Sequence, residues 1–341
     1  MKAVFDPRQR AHDPQTFLQA GVLKPSPEQP ERADRLLDGL AAVGAPLIAR
    51  ADYGIAPIAA VHPAEYLEFL RGIHAAWTAM PGASAEVMPN VHPSRIPGLR
   101  PQSPVGLAGW HMADTACPIM GDTWDAAYAS AQTALTATEL VMEGERAAYA
   151  LCRPPGHHAY ADMAGGFCYL NNSAVAAQRL TAAGRRVAIL DVDVHHGNGT
   201  QGIFYARGDV LTVSIHADPA GYYPFFWGHA SERGEGAGEG ANLNLPLPAG
   251  AGDASFLGAM AAAAARIEAF GADALVLALG LDAYAQDPLA RLAVTTEGFA
   301  RIGAAAARIG LATVIVQEGG YLSPALGDNL AAALGGFQDA G

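Results

Sequence analysis

The sequence predicts an α/β fold in which a central, mostly parallel β-sheet is flanked by helices. Three observations lead there: short apolar runs recur along the chain, helix-like segments lie between most of them, and the runs are near-continuous rather than alternating. Alternating element types argue for strand–helix–strand units, and near-continuous apolar runs suit strands buried on both faces. At 341 residues and 51% hydrophobic content the chain can bury one large core or two small ones. A single domain over 1–341 is the simpler reading.

In chain order, the first strand is Ala3-Val4-Phe5, and helix-like segments follow at 30–43 and 64–78. Residues from about 80 to 121 then break the rhythm with prolines, glycines and scattered aromatic residues. A loop that long in a compact domain is usually functional or disordered, and it reads as an insertion. A helix at 123–143 precedes the strand Ala148–Cys152, and another at 172–183 precedes Val187–Leu190. The strand Val210–Ser214 leads into a second irregular stretch, Asp218 to Gly252. Its block Tyr222-Tyr223-Pro224-Phe225-Phe226-Trp227 fits a pocket wall or an interface. A helix at 254–269, the strand Ala274–Leu279, a helix at 296–309 and the strand Thr313–Gln317 complete the alternation.

With 21 Lys+Arg against 33 Asp+Glu, the formal net charge is −12. Such a field repels nucleic acid and favours small cations. Three cysteines, Cys117, Cys152 and Cys168, lack CxxC spacing and are odd in number, so neither a disulfide framework nor a thiolate metal site is indicated. The amino terminus has no signal-peptide core, and no apolar run reaches membrane-spanning length. The expectation is a cytoplasmic protein with neither membrane nor nucleic-acid partners.

Several strand-like runs end in residues suited to hydrolytic chemistry. In an open α/β sheet, ligands bind outside the carboxyl ends of the strands, so polar groups placed after different strands converge on one crevice. Asp191, Asp193 and His195 are spaced by two, which points them to one face of an extended chain. Two of them with Asp282, after the run 274–279, make an Asp-His-Asp set with an open position, as catalytic zinc requires. Oxygen and nitrogen ligands would also accept iron, cobalt or manganese. His157 and His158, after the stiff Pro154-Pro155-Gly156 turn, suit general base and general acid work. Asp191 and Asn198 are candidate partners for the two rings. Tyr321 follows two glycines, and its hydroxyl could donate to an oxyanion. An isolated Asp-x-His pair is more often a turn feature than a ligand set, but that reading has to account for all of these strand ends together.

These motifs resemble those of the histone deacetylase superfamily, and more closely its acetylpolyamine amidohydrolase branch. The matching segments are Cys152-Arg-Pro-Pro-Gly-His-His158, Gly165-Gly-Phe-Cys-Tyr-Leu-Asn-Asn172, Asp191–Gln201, Gly280-Leu-Asp282 and Glu318-Gly-Gly-Tyr321, with weaker likeness at Arg32 and Val61–Leu67. The resemblance implies an arginase/deacetylase-like fold and one zinc held by Asp193, His195 and Asp282. It places His157 and His158 beside the attacking water and Tyr321 at the substrate carbonyl. Phe167 and Tyr223 would wall a narrow channel, the Gly166 carbonyl would receive the scissile amide N–H, and Arg32 would line an exit route for acetate. A structural potassium is implied near Asp191, Asp193, His195, Ser214 and Ile215. So is a homodimer acting on small cationic acetylated amines such as acetylputrescine or acetylcadaverine. At positions where that branch carries acidic residues, this chain has Phe17 and Ser103, with Asp114 as a remaining carboxylate.

The competing enzymatic readings are a deacetylase of acetyl-lysine peptides and a manganese ureohydrolase. The ureohydrolase normally needs more carboxylates between two metals than Asn198 and the Ala283-Tyr284 pair provide. A catalytically inactive small-molecule sensor would be expected to have lost at least one of the chemical groups, yet all are present.

Overall fold

The computed structural model describes residues 1–93 and 98–341. Among the described residues the strands are, in order, β1 Lys2–Phe5, β2 Thr16–Gln19, β3 Val22–Pro25, β4 Leu47–Ala49, β5 Ala147–Ala150, β6 Val187–Asp191, β7 Val210–Ala217, β8 Asn242–Leu247, β9 Ala274–Leu279 and β10 Ala312–Gln317. The helices are α1 Glu31–Ala42, α2 Ala56–Ala59, α3 Ala64–Thr78, α4 Pro104–His111, α5 Thr123–Met142, α6 Asn172–Ala182, α7 Asn198–Phe204, α8 Asp253–Phe270, α9 Thr296–Ala307 and α10 Leu326–Asp339.

Eight strands form one sheet in the order β4-β1-β5-β10-β9-β6-β7-β8. Every pairing in it is parallel, so the expected mostly parallel sheet is wholly so. β2 and β3 make a separate antiparallel hairpin. Period-2 alternation sorts each central strand between two cores. Ala188, Leu190, Leu275, Leu277 and Ile315 pack into one face with α1, α8, α9 and α10. Val187, Ile189, Val276, Val314 and Val316 pack into the other with α5 and α6. A third cluster gathers Tyr66, Phe69, Trp77, Met112 and Ile119 around α3 and α4.

The departures from expectation lie where local signals are weak. β8 falls in the stretch read as irregular: Asn242-Leu-Asn-Leu-Pro-Leu is short, glycine-flanked and carries a proline, which an edge strand tolerates. In the 80–121 segment, α4 is capped by the Ser103 hydroxyl, which accepts from the Gly106 N–H at 3.2 Å, and Val87 pairs with Ile119. Residues 94–97 of that segment lie outside the described residues.

α9 and α10 pack through small residues. A Cβ on Gly303 would run into the Ala333 carbonyl, and one on Gly336 into that of Ala300. Gly303→Ala is therefore expected to lower stability by about 1–3 kcal/mol through overpacking, read as a lower midpoint in denaturant unfolding.

Candidate active site

The strands β5, β10, β9 and β6 are consecutive neighbours at the sheet centre. Their carboxyl ends deliver, respectively, His157 and His158, Glu318 to Tyr321, Asp282, and Asp191 to His195. All of these side chains are buried, with Asp193, Asp282 and Glu318 fully so.

Asp193, His195 and Asp282 bring their ligand-type atoms within 4.8 Å of one another. His195 Nδ1 lies 3.1 Å from Asp193 Oδ1 and 3.2 Å from Asp282 Oδ2. The outer oxygens are held by backbone donors: Gly319 N–H to Asp193 Oδ2 at 2.8 Å and Val194 N–H to Asp282 Oδ1 at 3.0 Å. Gly319 is required here, because a Cβ would collide with both carboxylates. Asp282 Oδ2 is buried with no hydrogen-bond donor. Burial and the neighbouring charge of Asp193 push Asp282 upward, while burial of His195 is outweighed by its hydrogen bonds to the Asp193 and Asp282 carboxylates, which hold it up at about 9. Two desolvated carboxylates with an unpartnered oxygen and one imidazole nitrogen form a donor set that fits a cation.

The two adjacent histidines have different partners. His157 Nδ1 meets Asp191 Oδ2 at 2.9 Å. Burial opposes its charge, but Asp191 and then Asp193 outweigh that and hold it well above the usual imidazole range. His158 Nδ1 meets Asn198 Oδ1 at 2.6 Å. An amide oxygen only accepts, so Nδ1 carries the proton and Nε2 is left as a bare base. Burial, then the positive charges of His157 and His195, push His158 well below the usual range. One ring is thus held cationic and its neighbour neutral.

A cavity of about 790 Å³ reaches this centre. His158, His195, Phe167, Tyr223 and Tyr321 line it, along with Phe17, Asp114, Tyr222 and Leu289. Phe167 and Tyr321 meet edge to face at 5.7 Å, and Phe17 packs on Phe167 at 5.8 Å. Phe167 has φ +67°, an uncommon conformation for a bulky residue, which aims it into the channel. The Tyr223 hydroxyl donates to Asp114 Oδ2 at 2.6 Å, and the same oxygen accepts from the Gly166 N–H at 3.2 Å. Asp114 therefore braces the wall. Leu18, Phe225, Phe226 and Trp227 are exposed around the outer part of the cavity. Ser103, engaged as the α4 cap, is not among its lining residues.

Arg32 is fully buried, donating to the carbonyls of Gly320 at 2.6 Å and Glu318 at 2.8 Å, and pairing with Glu28 at 2.6 Å. Its guanidinium lies 4.8 Å from the Tyr321 ring centre. Three residues that the sequence reading did not single out as site residues also serve the centre. Glu318 accepts from Gly156 N–H, His157 N–H and the Ser173 hydroxyl, at 2.7, 3.0 and 2.7 Å. Asp287 accepts from Tyr321 N–H and Leu289 N–H, both at 2.8 Å. Tyr222 places its hydroxyl 2.8 Å from His195 Nε2. Glu318 lies inside a matched motif and Tyr222 inside the aromatic block, while Asp287 carried no sequence signal.

A histone deacetylase domain pattern matches residues 26–337. The chain is 50% identical to an acetylpolyamine amidohydrolase of Burkholderia pseudomallei, over 99% of this chain and 98% of that one. It is 46% identical to acetylpolyamine amidohydrolase 1 of Pseudomonas aeruginosa, over 100% and 99% of the two chains. A crystal structure of acetylpolyamine aminohydrolase from Burkholderia pseudomallei superposes with a TM-score of 0.96 at 49% identity, covering 100% of this chain and 99% of that one.

Because Asp191 is the largest of the charges that raise His157, removing it should lower that ring's proton affinity. A histidine NMR titration of metal-stripped Asp191→Asn should show the His157 midpoint falling, with His158 remaining neutral. An unmoved midpoint would assign the effect elsewhere.

Proposed function

The chain belongs to the histone deacetylase family, and from that premise we propose that it is a zinc-dependent hydrolase of small acetylated amines, the acetylpolyamines. The observation that carries the reading is the meeting, at the end of one aromatic-walled cavity, of a cation-ready Asp193-His195-Asp282 set, a neutral His158 and the Tyr321 ring. Asp193, His195 and Asp282 would hold the metal. When bound, the ion supplies Lewis-acid charge that acidifies water and polarises a carbonyl.

The chain's own residues do the rest. Phe167, Tyr223, Phe17 and Leu289 enclose a slender alkyl chain and exclude bulk water, and the Gly166 carbonyl accepts the scissile N–H. His158 Nε2 takes the proton of the attacking water as its oxygen bonds to the acetyl carbon. The Tyr321 hydroxyl donates to the carbonyl oxygen as negative charge develops there. The C–N bond then breaks, His158 returns its proton to the leaving nitrogen, and acetate and a free amine result. His157, held cationic by Asp191, contributes positive charge and does not compete as a base. Arg32, beneath Tyr321, suits the acetate product.

The substrate class rests on the relatives' names together with the cavity's walls and a net charge of −12, which favours capture of a cationic amine. We take 1–341 as one catalytic domain, since a single sheet draws strands from Lys2 to Gln317. A structural potassium near Asp191 and Ser214 would neutralise charge beside a small polar void that both residues line. The exposed Phe226 and Trp227 at the mouth give a homodimer an apolar surface to cover. Three buried free cysteines accord with a reducing cytoplasm, and among the described residues no helix is long and apolar enough to cross a membrane.

Tyr321→Phe should lower turnover by roughly 10²–10³-fold, the range for losing one oxyanion donor, without reducing metal content. Near-native turnover would leave Tyr321 a packing residue. A substrate panel assayed by amine release decides the class: acetylputrescine, acetylcadaverine and acetylspermidines should outpace acetyl-lysine peptides at equal concentration. A preference for peptides would replace the small-amine reading with a peptide deacetylase.

A further inference from the structure

Tyr222 sits beside Tyr223 in the aromatic block, yet its hydroxyl is directed inward, to the back of His195. The ring lies nearly parallel to the imidazole, at 14° and 4.9 Å between centres. Its hydroxyl has two partners, His195 Nε2 at 2.8 Å and the Leu289 carbonyl. A carbonyl oxygen only accepts, so the single phenolic proton goes to Leu289. Toward His195 the oxygen can then only accept, and the imidazole proton sits on Nε2. In the neutral ring that a cation would displace the second proton to form, Nδ1, which faces Asp193 and Asp282, is then the nitrogen left with its lone pair free.

We propose that Tyr222 is a positioning residue for the metal: by accepting the Nε2 proton and anchoring to Leu289, it fixes the tautomer and plane of His195 so that Nδ1 is presented as a ligand. This rests on the assignment of Asp193, His195 and Asp282 as the metal-holding set. The anchor is well placed for the task. Leu289 belongs to the segment that begins at Asp282, and its own N–H is fixed by Asp287 at 2.8 Å. The hydroxyl thus bridges the histidine ligand to the chain bearing the third ligand. Partners that orient a ligating imidazole from its far nitrogen typically govern affinity by 10–100-fold.

The test is Tyr222→Phe, which keeps the ring and deletes only the hydroxyl. Zinc dissociation constants measured against a chelator buffer should rise about 10–100-fold, and zinc should leave faster into excess chelator. The unfolding midpoint of the metal-free variant should shift far less than its zinc affinity. Asp282→Ala serves as the second arm. If it loses zinc while Tyr222→Phe binds as tightly as the parent, the positioning role is overturned and the metal site stands. If Asp282→Ala itself retains full zinc affinity, the ligand assignment fails, and the role built on it fails too.

Discussion

The constraint on which this structure depends is the burial of carboxylates. Asp191, Asp193, Asp282 and Glu318 are all removed from water at the end of the central sheet. A desolvated charge without partners costs several kcal/mol, so each must be met by donors or by positive charge. The protein supplies both. Backbone N–H groups of Val194, His195, Gly319, Gly156 and His157 donate to these side chains, and His157 is held cationic between Asp191 and Asp193. One oxygen, Asp282 Oδ2, is left over. The other oxygens of these four carboxylates all have hydrogen-bond partners, and this one lies 3.2 Å from His195 Nδ1, so the unbalanced negative charge of the group is concentrated beside that ring.

That concentration follows from topology. Four neighbouring parallel strands end side by side, and the turns after β5, β6 and β10 contribute N–H groups that donate to these carboxylates. The same backbone that binds the carboxylates also sets their spacing, so the geometry of Asp193, His195 and Asp282 comes from the register of β5, β10, β9 and β6. The long side chains facing the cavity only refine it. This also explains why Gly319 sits where it does: the loop must approach two carboxylates more closely than any side chain permits.

Much of this could be read from the sequence because the informative residues are local. Asp193 and His195 share a face by period alone, and His157-His158 and Gly319-Gly320-Tyr321 lie within single turns. The central strands and most long helices also match their expected ranges to within a few residues. What escaped notice depends on tertiary contact. β8 has no strong pattern of its own and exists by pairing with β7. α10 is rich in Ala and Gly and takes its place by close packing on α9 and α1. Phe17 and Asp114 stood out at first as departures or leftovers from an acidic pattern, but their positions give them definite jobs, one as a wall and the other as a brace for Tyr223. Ser103 proved to be a helix cap. In a run of two tyrosines, nothing in spacing tells which hydroxyl meets Asp114 and which meets His195.

The two tyrosines and the segment after Asp282 also join parts of the centre that the sequence treats as separate. Asp287 fixes the N–H groups of both Tyr321 and Leu289, and Leu289 in turn accepts from Tyr222, which holds His195. A continuous hydrogen-bonded path therefore runs from His195 to the backbone of Tyr321. Asp287 itself is pushed up to about 7 by burial and by the charge of Asp282, yet it accepts from two N–H groups, which is the arrangement of a structural carboxylate. Catalysis of the proposed kind requires the carbonyl oxygen to meet His195's metal site and the Tyr321 hydroxyl at once, and small misplacements of either are costly. Tying both to one short segment makes the placement of the two groups depend on the same backbone.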